Sequence, residues 1–425
     1  MGLQRRNFLR LSASTAALFS GINVIKASSL TDSSIFDNLQ NITADAVPIT
    51  VEERKQRIAK AQRLMAENKI QALILDSGTS LMYFTNIRWG ASERTMVAII
   101  PAKGDVKYVC PAFEADRFRE LLTIGSEVKT WEEHESPYKL IVDVLKGYGI
   151  TGGNVGIEER VRFFVYDGIR KEAPGINFIS GDPVTIPCRM IKSSAELALM
   201  QKANDITLAA IKTATDNLKE GMTNAELSSF ISEAHRKLGG TPGGALVNIA
   251  ESSALPHGSI KPVQIKNGDI VLMDCGCSVH GYTSDITRTV VFGATPTKRQ
   301  RDTWDLEKKA QAAGFAAAKL GAPCENVDMA SRKVLTDAGY GPGYKLPGLP
   351  HRTGHGIGMD GHEWGNMVLG NKKLLEPGMC FSIEPMIVLP GEFGIRLEDC
   401  VYMTETGPKW FTQPSLSIDK PFGAA

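Results

Sequence analysis

Along most of the chain, short apolar runs alternate with longer stretches of helical period. "QALILDS", "RTMVAIIP" and "VKYVCP" read as buried strands. Ahead of them, Thr50 and Glu53 form a capping box that opens a helix through about Lys69. Strand and helix patterns go on alternating to about Cys188, which predicts a first α/β domain over residues 48–188. A second domain is expected over residues 189–425. Ser193 and Glu196 cap a helix running to about Leu218, and Thr223 and Glu226 cap another that stops at Gly239–Gly240. Strands follow. A similar order returns from about Arg299, with a helix to Leu320, a helix from about Asn326 to Ala338, and strands again.

The two halves of this second domain repeat one feature closely. "NGDIVLMD" places Asp274 six residues after Gly268, and "PGMCFSIE" places Glu384 six residues after Gly378. In each, a turn dipeptide leads into an apolar strand that ends in a carboxylate. Such an acid is costly unless it is paired or metal-bound. Each strand is followed by a hairpin pattern. With midpoints at Val279–His280 and at Gly391, Asp274 would face Asp285 and Glu384 would face Glu398. Residues directly opposite have Cβ atoms roughly 4.5–5.5 Å apart, so two like charges there need something positive between them.

The stretch "HRTGHGIGMDGHE", residues 351–363, holds three of the seven histidines, His351, His355 and His362, among four glycines. A helix would lose roughly 3–4 kcal/mol to those glycines, so an extended segment is expected. His351 and His355 then share a face, and a bend must bring His362 round. Taken alone, the stretch also fits three surface histidines in a loop. Two carboxylate pairs on equivalent hairpins, with a histidine on glycine-rich backbone, point instead to a site for two divalent ions. Oxygen-rich ligation with one imidazole favours Mn(II), with Zn(II), Co(II) or Fe(II) as alternatives. Two ions roughly 3.5–4 Å apart can activate one water and clamp a tetrahedral intermediate.

Composition adds limits. The chain has 425 residues, 43% hydrophobic and 22% charged, enough for two soluble domains with real cores. Its net charge of +1 suggests neither a nucleic-acid nor a membrane-surface partner. The first 27 residues carry Arg5, Arg6, Arg10 and Lys26 and no acid. Paired arginines, then Phe8 and Leu9, a mildly apolar run and Ala27 have the layout of a twin-arginine signal peptide over residues 1–27, implying periplasmic or secreted protein. Residues 28–47 read as a polar lead-in. The seven cysteines are odd in number and form no C-x-x-C pattern, so nothing requires a disulfide.

At "MDCGCSVHGYTSDITRTVVFG", "HRTGHGIGMDGHE", "PGMCFSIEP" and "GIRLEDCVYMTETG" the chain resembles the pita-bread metallopeptidases, in their Xaa-Pro aminopeptidase and prolidase branch. The resemblance implies a creatinase-like α/β amino-terminal domain followed by an α+β pita-bread catalytic domain with a pseudo-two-fold repeat. It implies metal ligands at Asp274, Asp285, His355, Glu384 and Glu398, with Asp285 and Glu398 spanning two ions and Glu384 assisting a bridging hydroxide as base. By position, His257, His351 and His362 would surround substrate and Arg396 would support the site. The expected activity is a metallo-exopeptidase hydrolysing the Xaa-Pro bond in peptides with proline second or in Xaa-Pro dipeptides, as a homodimer.

The chain departs from the family at Met386, where glycine is frequent, at Trp364, Gly365 and Asn366, where prolines are, and at Arg352, where a small residue is common. These positions are expected near the pocket, so they bear on substrate choice. A metal-dependent hydrolase or lyase of the same fold, acting on a small compound as ectoine-hydrolase-like or dimethylsulfoniopropionate-lyase-like proteins do, is the alternative. A non-catalytic binding module of this fold would have lost the ligands.

Overall fold

The computed structural model describes residues 34–422. The expected signal peptide and the start of the lead-in lie outside the described residues. A short helix, Ser34–Asp37, belongs to a first unit, and Leu39–Ala425 forms the second, which holds both halves discussed below. Within that unit the end of the lead-in is tied down. Ile42 N donates to Leu238 O at 3.1 Å, and Lys202 pairs with Asp45 at 2.9 Å.

The first half is built on six strands: β1 (Ile70–Asp76), β2 (Val97–Pro101), β3 (Lys107–Pro111), β4 (Glu127–Trp131), β5 (Gly153–Ile157) and β6 (Ile176–Ser180). They form one mixed sheet in the order β4-β3-β2-β1-β5-β6. Helices cover both faces, so alternate residues of β1 enter different cores. Leu73 and Leu75 pack with Leu81, Phe84 and Phe118, while Ala72 and Ile74 pack with Ile141, Leu145 and Ile169. That double burial is why "ALIL" reads as an unbroken apolar run. Thr50 caps the helix Val51–Glu67 by accepting from Glu53 N at 3.1 Å, but only half of the expected box forms. The Glu53 carboxylate is taken by Arg57 at 2.9 Å and by Ser193 Oγ at 2.8 Å.

The second half contains β7 (Thr241–Ile249), β8 (Ile270–Val279), β9 (Tyr282–Thr283), β10 (Ile286–Val291), β11 (Gly354–Gly356), β12 (Glu363–Met367), β13 (Cys380–Ile383), β14 (Met386–Leu389), β15 (Phe393–Arg396), β16 (Asp399–Thr404) and β17 (Gly407–Trp410). One sheet runs β10-β8-β7, a second runs β12-β11-β13-β16-β17, and β14 pairs with β15. A single bridge, Thr287 to Glu398, stitches the first sheet to the second. Two helix pairs pack on these sheets: Ser194–Asp216 with Asn224–Lys237, and Lys298–Ala317 with Glu325–Asp337. The first pair starts with complete capping boxes at Ser193/Glu196 and Thr223/Glu226. This arrangement is the mixed α/β and α+β architecture expected, with one sheet and one helix pair per repeat. All seven cysteines are buried and free.

Candidate active site

The first hairpin closes one residue further on than its sequence midpoint, which shifts the strand pairing by two. His280 and Gly281 form its turn, with φ of 48° and 88°, the left-handed pair that a two-residue type I′ turn requires. Val279 then pairs with Tyr282, and Asp274 lies opposite Thr287 rather than Asp285. An even slip preserves the face of every side chain. Asp285 therefore stays on the face of Asp274, diagonal to it. The second hairpin keeps the expected register. Ile383 faces Asp399 and Met386 faces Arg396, which puts Glu384 opposite Glu398 about the turn at Gly391.

The two hairpins and β11 converge. Potential ligand atoms of Asp274, Asp285 and Glu398 lie within 4.8 Å of one another, as do those of His355, Glu384 and Glu398, and those of Asp285, His355 and His362. His355 Nε2 is 3.1 Å from Glu384 Oε1 and 3.7 Å from Asp285 Oδ2. Its Nδ1 faces Gly356 O at 3.1 Å, so Nδ1 carries a hydrogen and Nε2 is the atom turned on the carboxylates. Burial disfavours the charged ring, but Glu384 and Asp285 prevail and raise its pKa, and a divalent ion would take the place of the Nε2 proton. The glycines flanking it are there for close approach. A Cβ on Gly354 would sit 1.9 Å from Ser382 O, and one on Gly356 would sit 1.8 Å from Trp364 O.

The electrostatics ask for cations. Burial and the neighbouring carboxylates push the Asp285 and Glu398 carboxyls well above the usual range. Burial works the same way on Glu384, but His355 overrides it and holds that carboxyl down at about 2. Glu398 Oε1 is buried with no protein partner, and Oε2 accepts from Thr287 Oγ1 at 2.7 Å. An imidazole Nε2 among carboxylates, an orphaned carboxylate oxygen and four acids in overlapping clusters all fit divalent ions held by Asp274, Asp285, His355, Glu384 and Glu398.

Of the supporting residues, Arg396 was expected from the sequence, whereas Thr287 and Ser382 were silent in it. Thr287 Oγ1 also accepts from Arg396 Nε at 3.1 Å, while Arg396 reaches Asp274 with Nη2 and Pro256 O with Nη1. Ser382 Oγ accepts from His355 N at 3.0 Å and donates to Glu384 Oε1 at 3.2 Å. Thr and Ser with this task look like any other strand residues in a sequence.

The three remaining histidines are placed differently. The His362 ring lies on His355, with centroids 3.9 Å apart. Arg352 Nη2 is 3.1 Å from His362 Nδ1. Guanidinium only donates, so Nδ1 accepts and Nε2 keeps its hydrogen. Burial, then the His355 and Arg352 charges, lower His362 to about 4, so the ring is neutral. His351 Nδ1 donates to Arg352 O at 2.7 Å, and its Nε2 is buried without a partner. His257 is exposed on the turn after β7, and its ring makes no hydrogen bond among the described residues. Among the departures, Met386 is not in the pocket. It is buried in the core with Leu272, Trp304 and Ile395, where a flexible apolar side chain fills space.

The chain is similar to known proteins over most of its length. An Xaa-Pro dipeptidase of Lactobacillus delbrueckii subsp. lactis is 30% identical over 364 residues, covering 84% of this chain and 97% of the relative. A peptidase of Schizosaccharomyces pombe is 35% identical over 381 residues, covering 85% and 82%. The pattern of metallopeptidase family M24 matches residues 198–405, and that of the creatinase/prolidase N-terminal domain matches residues 57–191. The chain belongs to metallopeptidase family M24. Among solved M24-like structures, a dipeptidase from Pyrococcus horikoshii OT3 superposes with a TM-score of 0.77 at 30% identity, over 84% of this chain and 98% of that one. This M24 chain is thus a prolidase-like metallopeptidase with a creatinase-type first half and a pita-bread second half.

Proposed function

We propose that the chain is an exported exopeptidase that hydrolyses Xaa-Pro bonds with two divalent ions, Mn(II) being favoured by the oxygen-rich donor set. The observation that carries this reading is the gathering of four carboxylates and the Nε2 of His355 into overlapping clusters of potential ligand atoms. Two ions held by Asp274, Asp285, His355, Glu384 and Glu398 would supply an activated water and polarise the scissile carbonyl.

The protein groups divide the remaining work. An X-Pro bond is a tertiary amide with no N–H, so the ring nitrogen must be protonated as it leaves. Glu384, ionised and 3.1 Å from His355, is the base that takes the water's proton and can return it. His362 offers an Nε2–H, the hydrogen-bond donor for oxygen charge developing on the carbonyl. His351 is set as an acceptor at Nε2, which suits a donor on the substrate rather than its proline carboxyl end. His257, on the turn next to the carbonyl that anchors Arg396, is assigned to the substrate rim.

Purified protein loaded with Mn(II) should cleave Xaa-Pro dipeptides or Xaa-Pro-Xaa tripeptides and leave ectoine-type compounds untouched. The opposite result would replace the peptidase reading with the small-molecule alternative. Export by the twin-arginine route to the periplasm belongs to the same proposal, as does a homodimeric assembly. Changing Arg5 and Arg6 together to lysine should hold the protein in the cytoplasm of a bacterial host. Undiminished periplasmic recovery would refute that part alone.

A further inference from the structure

Beside His362 lies a cavity of about 280 Å³, walled by Glu159, Arg189, Arg352, Asp360, His362 and Trp364 among others. Its charges are almost all accounted for. Arg189 bonds Asp360 Oδ2 and Glu363 Oε1, each at 2.6 Å. Lys192 takes the other Glu363 oxygen at 2.8 Å, and Arg160 also reaches Asp360 at 2.9 Å and lies 4.0 Å from Glu159. Arg352 is the exception. Its side chain makes one hydrogen bond, from Nη2 to His362 Nδ1, and no ion pair among the described residues. A half-buried guanidinium with its other donors free is a standing invitation to an anion.

We infer that this cavity receives the leaving residue and that Arg352 binds the free α-carboxylate of a dipeptide substrate. The inference rests on the Xaa-Pro reading and narrows it to dipeptides. The geometry supports it in three ways. Arg352 touches the far nitrogen of the same imidazole whose Nε2–H serves the carbonyl, so the cation stands one ring beyond the reacting bond. One peptide residue spans roughly 3.5 Å, and a contact at each end fits that separation. The Trp364 ring, with the Arg189 guanidinium carbon 5.1 Å from its centroid, gives the cavity a flat wall against which a pyrrolidine ring can lie. A peptide that continues past proline would present an amide in place of the carboxylate and leave the guanidinium unpaired.

The test compares Ala-Pro with Ala-Pro-amide on the Mn(II)-loaded wild type, Arg352→Gln and Arg352→Lys, with metal content measured on each. Wild type should prefer the dipeptide by roughly 10–150-fold in kcat/KM, the worth of a charge-assisted pair, and Arg352→Gln should compress that preference to about threefold, mainly through KM. Arg352→Lys, a point charge without the fork, should fall between. Calorimetry gives a readout without turnover: L-proline should bind wild type more tightly than L-prolinamide, and Arg352→Gln should erase the difference. Equal treatment of acid and amide by wild type, or an undiminished preference in Arg352→Gln at wild-type metal content, would overturn the inference and leave the Xaa-Pro reading standing. Wild type that cleaves neither compound would bring down both.

Discussion

His355 and His362 lie seven residues apart with stacked rings, yet their second nitrogens meet opposite partners. A backbone carbonyl takes the Nδ1 hydrogen of His355, whereas the Arg352 guanidinium donates to Nδ1 of His362. The first ring therefore turns on the carboxylates an Nε2 that a metal ion can take, and the second keeps an N–H there. His355→Ala should lose bound metal, measured by elemental analysis. His362→Ala should keep its metal and lose roughly 10²–10⁴ in kcat, the range for a group acting on the reacting atoms. Identical metal loss in both would remove the distinction. Thr287 makes a sharper residue-scale test because it touches no substrate. It donates to Glu398 and accepts from Arg396. Thr287→Val keeps the shape and strands both partners, so metal affinity should fall about 10–100-fold while the protein still folds. Unchanged affinity by competition with a chelator would show that Arg396 alone orients the site.

At the scale of elements, what was legible in the sequence depended on how each turn is made. The Gly391 hairpin was readable because "LPGEFG" has its glycine at the centre of the span between Glu384 and Glu398. Pairing in the first was misread by two residues because His280, a non-glycine, adopts positive φ ahead of Gly281, so the turn sits one residue later than the midpoint. The slip cost no ligand because its even size preserved the face. The capped helices were legible for the same local reason. The network holding the His362 loop was not, since its members are far apart in sequence. Arg189, at the junction of the two halves, grips Asp360 and Glu363 on that loop, and Glu363 Oε1 in turn accepts from Met359 N at 3.0 Å. Arg189→Met would leave Glu363 buried with only Lys192 as a cation. Loss of about 3–5 kcal/mol in urea unfolding is expected, the usual cost of removing one partner of a buried pair. Glu363→Gln should be milder, because an amide can still accept from Arg189 and the Met359 N–H. Equal stability of wild type and Arg189→Met would mean the junction does not hold the loop.

For the whole molecule, acid stability is set in part far from the site, at His235 in the helix Asn224–Lys237. The ring is fully buried, on a helix packed against the helix Ser194–Asp216 and β7. Its Nε2 lies 3.1 Å from Thr207 Oγ1, and the neighbours that meet that hydroxyl are Ser284 Oγ at 2.9 Å and Cys277 Sγ at 3.4 Å. No carboxylate faces it among the described residues, and burial lowers its pKa from 6.5 to about 4. The sign follows from proton counting. Between those values the unfolded chain binds a proton that the native ring refuses, so acid favours unfolding. The contribution is whole above about pH 6.5, falls by about 2 kcal/mol by pH 5, and levels near 3 kcal/mol below pH 4. Carboxylates elsewhere add their own slopes, so the informative quantity is a difference between variants. His235→Gln keeps an acceptor for Thr207 and cannot titrate. Its urea-unfolding free energy should fall less steeply than that of wild type between pH 7 and pH 5, even if it starts lower. Parallel curves for the two proteins would show that the native state accommodates the proton, through water entry or local opening of the helix pair.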